Sequence, residues 1–77
     1  MQDRNKKRER FKRLAEYRTN QVLKRLDVLS NCANRSNYEY TEEEVDKIFR
    51  EINKKVRNVK AQFKSSVKKE DKDKFKL

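Results

Sequence analysis

The sequence predicts an all-α protein: a helical hairpin of two amphipathic helices, over about residues 3–33 and 42–68, that dimerises into a four-helix bundle. Three observations predict it. Apolar residues recur at spacings of three and four along two long segments. A helix-capping signal opens the second segment. Gly and Pro are both absent, so the residues that most often punctuate strands and tight turns are missing.

In the first segment Phe11, Leu14, Ala15, Val22, Leu26, Leu29 and Ala33 form one stripe, widened by Leu23, Val28 and Cys32. Arg18 interrupts it, and its aliphatic stem can lie along an apolar surface. The helix is expected to stop near Ser30–Asn34. Without Gly, Asn31 or Asn34 is expected to take the left-handed position past its end. The connection NCANRSNYEY is rich in Asn and Ser, which suits turns.

The second helix has the sharpest start. In Thr41-Glu42-Glu43-Glu44 the Thr41 hydroxyl is placed to accept from the Glu44 amide, and the Glu44 carboxylate to accept from the Thr41 amide. Tyr40 before the cap and Val45 after it make the matching hydrophobic staple. Three glutamates in the first turn suit the positive end of the helix dipole. That reading explains the acidic cluster Glu42–Asp46 better than a metal site does, because consecutive helical residues point in different directions. Val45, Ile48, Phe49, Ile52, Val56, Val59 and Phe63 then form the second stripe, followed by Val67. From Phe49 to Phe63 the steps alternate between three and four, as in a heptad repeat. These seven residues are the expected oligomer or partner interface. The organisation expected is a basic N-terminal arm or helix extension (1–10), the hairpin (11–68), and a lysine-rich, frayed tail (69–77).

Composition narrows function further. Of 77 residues 47% are charged and 32% hydrophobic, and the formal net charge is +10. So short a chain buries little surface, and a second copy or larger partner is expected to complete the core. No apolar run is long enough to span a bilayer. The start MQDRNKKRER is charged and has no apolar stretch after it, which does not read as a secretory signal. The single Cys32 cannot form an internal disulfide and fits a reducing cytoplasm. With no His and no Gly, the commonest general base, the commonest metal ligand and any Gly-rich phosphate loop are missing. No enzymatic activity, metal or cofactor is expected.

The charge is segregated. Residues 1–13 carry +5, residues 14–59 carry +1 and residues 60–77 carry +4. Arg4, Lys6, Lys7, Arg8, Arg10, Lys12 and Arg13 at one end, and Lys60, Lys64, Lys68 and Lys69 at the other, are the expected contacts to nucleic-acid phosphates. An antiparallel hairpin would bring both ends to one pole. Tyr17, Tyr38 and Tyr40 are read as packing residues rather than base-stacking ones. The alternative is a protein-interaction module whose second-helix stripe docks on a larger protein. A membrane surface is disfavoured, since the basic residues cluster at one end and the apolar face has no Trp.

Two resemblances accompany these features. A basic stretch holding Glu9-Arg10, then a helix, a loop over residues 31–40 and a second helix, resembles the layout of basic helix-loop-helix DNA-binding proteins. The basic stretch lacks that family's full contact pattern, and no contact residue is carried over from it. The stretch from Asn34 to Phe49, NRSNYEYTEEEVDKIF, looks like short basic helical proteins encoded on bacterial plasmids, phages and other mobile elements, with the likeness extending over about residues 11–63. It implies a bacterial cytoplasmic setting and supplies no activity.

Overall fold

The computed structural model describes the backbone of residues 2–75 and the side chains of residues 4–67. The chain is all-α, with two helices and no strand among the described residues. It divides into two units, residues 1–39 and residues 40–77, and each is taken by itself.

The first unit is the helix α1, Gln2–Ser30, followed by a 3-10 turn, Asn31–Ala33. At 1.5 Å per residue α1 is about 43 Å long. It runs through the whole basic N-terminal segment, so Arg4 to Arg13 sit on regular helix. The straight-chain Lys, Arg, Glu and Leu of this segment all have good helix propensity. On the polar side the Gln21 side-chain amide donates to the Tyr17 hydroxyl at 3.0 Å, one turn apart.

The end of α1 departs from expectation. No described residue has a positive φ, so neither Asn31 nor Asn34 takes the left-handed position. The last turn instead tightens into 3-10 geometry, which satisfies terminal carbonyls by shorter-range bonds. Asn34 then swings to extended backbone, φ −71° and ψ 102°, with its N–H donating to the Asn31 carbonyl at 3.4 Å. Asn, unlike Gly, carries a Cβ that opposes the left-handed well. Its side chain serves a different purpose: Oδ1 of Asn34 accepts from the Ser36 amide at 3.0 Å, a local Asx turn. The Asn37 and Tyr38 amides both donate to the Asn34 carbonyl, at 3.1 and 3.0 Å. One asparagine therefore organises the turn. The Ser30 hydroxyl donates back to the Asp27 carbonyl.

The second unit is α2, Glu42–Phe75, about 51 Å long. Its capping box forms as the sequence predicts. The Glu44 amide donates to Thr41 Oγ1 at 3.2 Å, and the Thr41 amide donates to Glu44 Oε1 at 2.8 Å. The Thr41 hydroxyl also faces Glu44 Oε1 at 3.2 Å. The first intrahelical bond follows, Val45 N–H to the Thr41 carbonyl at 3.2 Å. Tyr40 and Val45, the staple pair, are both partly covered. The helix continues to Phe75, past Val67, where the apolar pattern ends. Lys and Glu are good helix formers without any packing to guide them.

None of the described residues is buried. Leu14, Ala15, Leu29, Tyr40, Val45 and Ile52 are partly covered, and the remaining described side chains are exposed. With no core among the described residues of either unit, the start of α2 depends heavily on local bonds. Thr41→Ala removes the reciprocal pair and is expected to cost the helix about 1 kcal/mol, while Thr41→Ser retains most of it. Thermal melts followed by circular dichroism check this; equal midpoints for the parent chain and T41A would contradict it.

Candidate nucleic-acid interface

The seven basic residues of α1 do not share one face. Helical periodicity of 3.6 residues places Lys6, Arg10 and Arg13 in one row, which continues through Tyr17 and Gln21 to Lys24. Arg4, Lys7 and Arg8 instead stand in line with the apolar stripe, one and two turns ahead of Phe11. Lys12 lies apart from both groups. All seven side chains are exposed. The start of α1 is thus cationic around its circumference, and its stripe changes from charged to apolar at Phe11. Apolar and polar residues are accordingly less cleanly separated on α1 than on α2.

The charge density decides what such a segment can hold. Arg4 to Arg13 sets seven cations against one acid, Glu9, a net +6 along about 14 Å of helix, or one net positive charge per ~2.3 Å, against about one phosphate per 1.7 Å of duplex DNA. Neighbouring cations are closer than the Debye length of about 8 Å at physiological salt, so salt screens their mutual repulsion only in part. The first of them, Arg4, also stands in the first turn of α1, at the positive end of the helix dipole. A polyanion relieves both strains together.

On α2, Lys60 and Lys64 are exposed. Lys68 and Lys69 continue the helix, but their side chains lie outside the described residues. Lys60 borders the apolar stripe, whereas Lys64 is turned further from it. The helix also reveals residues that division of the sequence into blocks conceals. Lys47, Arg50, Lys54, Arg57 and Lys64 follow three- and four-residue steps, with Ala61 in the gap, on the side opposite the stripe. All five are exposed. Together with Lys55 and Lys60 they face a single acid, Glu51, between residues 47 and 67, so this stretch carries +6. Along the chain, Glu39, Glu42, Glu43, Glu44 and Asp46 offset the +4 of residues 47–59, and Lys60 and Lys64 fall with the C-terminal lysines. Plotting residues 47–64 on a helical wheel would have found it.

The apolar stripe occupies the other side of α2. Val45 and Ile52 are partly covered, while Ile48, Phe49, Val56, Val59 and Phe63 are 41–57% exposed. So α2 presents two surfaces back to back: an apolar seam and a cationic rail about 26 Å long from Lys47 to Lys64. Among the described residues no three His, Cys, Asp or Glu side chains gather as a metal site. No helix among them is long and apolar enough to cross a membrane.

Comparison with protein families, curated proteins and solved structures gives no match.

The exposure of both cationic surfaces has a direct consequence. K6Q/R10Q/R13Q and R50Q/R57Q/K64Q each remove three exposed charges. Each is expected to elute from immobilised heparin at distinctly lower salt than the parent chain. Unchanged elution of R50Q/R57Q/K64Q would exclude the α2 rail from polyanion contact.

Proposed function

We propose that the chain binds nucleic-acid backbones as a small accessory or regulatory protein. The observation that carries this reading is the exposed run from Arg4 to Arg13, whose linear charge density approaches that of duplex DNA. Lys and Arg on a helix surface neutralise phosphates and release counterions. Such contacts fix position along a backbone rather than read its bases. Arg4, Lys6, Lys7, Arg8, Arg10, Lys12 and Arg13 make the principal contacts. Lys64 and the rail residues Lys47, Arg50, Lys54 and Arg57 extend them, with Lys60, Lys68 and Lys69 contributing at the end of α2. The setting is the bacterial cytoplasm implied by the likeness to mobile-element proteins.

A second reading rests on the seam. Val45, Ile48, Phe49, Ile52, Val56, Val59 and Phe63 form an ordered, largely exposed apolar surface on a capped helix. Amphipathic helices of this kind dock through anchors at three- and four-residue steps, on another copy or on a different protein. Seam and rail lie on opposite sides of α2, so association and polyanion binding are compatible. Closure of two chains into a four-helix bundle is the fullest form of this association.

Gel shifts over a salt series test the nucleic-acid reading. With six to ten phosphates contacted, affinity for duplex DNA or RNA is expected to fall by about 10³–10⁵ between 50 and 200 mM salt. K6Q/R10Q/R13Q is expected to flatten the log–log slope by about 2–3. Failure of micromolar protein to shift any nucleic acid at 50 mM salt would refute it.

A further inference from the structure

We infer that the seam of α2 pairs with the same seam of a second copy of the chain, in antiparallel orientation. This rests on the reading of the seam as an interface and commits it to one occupant. The residues that flank the seam select both the occupant and its direction. Taking Phe49, Val56 and Phe63 as a positions and Val45, Ile52 and Val59 as d positions, the heptad register sets Asp46, Asn53 and Lys60 at e. Ile48, Lys55 and Gln62 fall at g. All six flanking side chains are exposed, so nothing within the helix withdraws them from a partner.

In an antiparallel pair a layers meet d layers. Val45 packs on Phe63 of the second copy, Phe49 on Val59, and Ile52 on Val56, and the same three contacts recur by symmetry. In that register e faces e and g faces g. Asp46 of each copy meets Lys60 of the other, giving two opposite-charge pairs, and the two Asn53 amides meet at the centre. Lys55 meets Lys55 once. In a parallel pair g faces the following e instead. Lys55 then meets Lys60 twice, Asp46 meets no cation, and the acidic first turns Glu42–Glu44 lie side by side. Two attractions against one repulsion select antiparallel over two repulsions with no attraction. Antiparallel alignment also places each acidic helix start beside the lysine-rich end of its neighbour. The seam is the side of α2 that faces away from the rail, so pairing leaves Lys47, Arg50, Lys54, Arg57 and Lys64 outward on both copies.

Sedimentation equilibrium of full-length chains in low salt, free of nucleic acid, tests this. Asp46→Lys and Lys60→Glu each convert both cross-pairs to like charges. Each variant alone is expected to self-associate about tenfold more weakly than the parent. An equimolar mixture of D46K and K60E restores both opposite-charge pairs and is expected to return to within about threefold of the parent. Residues 46 and 60 are fourteen apart on one helix, so recovery in the mixture cannot arise within a chain. Any loss of helix in one variant persists in the mixture and cannot mimic rescue. Val56→Asp is expected to abolish association, tying it to the seam. Association that survives V56D, or a mixture no tighter than its two parents, would overturn the antiparallel seam. A parent chain still monomeric at about 1 mM would overturn self-pairing and leave a different protein as the seam's occupant.

Discussion

Everything in this molecule follows from the burial problem of a lone amphipathic helix. A helix fixes backbone and side-chain entropy that its own hydrogen bonds scarcely offset, and packing of the apolar face usually supplies the difference. Here neither unit contains a buried residue among those described. Ile48, Phe49, Val56, Val59 and Phe63 each keep two-fifths or more of their surface exposed. Local devices therefore carry unusual weight: the reciprocal Thr41–Glu44 bonds, the acidic first turn of α2 and the Asn34 turn. They set where α1 ends and α2 begins, and the apolar stripe of α2 stays largely exposed.

The same economy shapes the electrostatics. Chains with this much like charge resist collapse and non-specific association. On α2 the opposing placement of seam and rail resolves the conflict between hydrophobic pairing and cationic exposure. Lys47, Arg50, Lys54, Arg57 and Lys64 stand away from the seam, and only Lys55 and Lys60 among the cations of residues 47–67 flank it. On α1 no such separation exists, because Arg4, Lys7 and Arg8 occupy the line of the stripe. Residues 4–13 of α1 suit contact with a polyanion more than contact with an apolar surface, and apolar character begins only at Phe11.

Sequence reading succeeded where structure is local. The start of α2 was legible because a hydroxyl and a carboxylate three residues apart can satisfy each other whatever surrounds them. The end of α1 was placed within a few residues, but its geometry was not. The expectation of a left-handed Asn assumed that some residue must replace the missing Gly, whereas the chain ends the helix by tightening and then extending at Asn34. Apolar periodicity fades after Val67 while α2 continues to Phe75, because lysine and glutamate favour helix without an apolar stripe. The cationic rail escaped because charge was summed along the chain. Arg50, Lys54 and Arg57 become one surface only once a helical turn brings every third and fourth residue into line.

The two helices treat their own peptide dipoles in opposite ways. α2 places Glu42, Glu43 and Glu44 at its positive pole, whereas α1 has a lone acid there, Asp3, followed by a run of arginines and lysines, and has no basic residue in its last turn. The first is electrostatically content, and the second is mismatched at its beginning. A bound phosphate chain would add, at Arg4–Arg13, negative charge that Asp3 and Glu9 supply only in part. The ligand would act as an external cap, so the leading turns of α1 would stiffen as it arrives and loosen as it departs. Occupancy and helical order at that end of the chain would be two readings of one event.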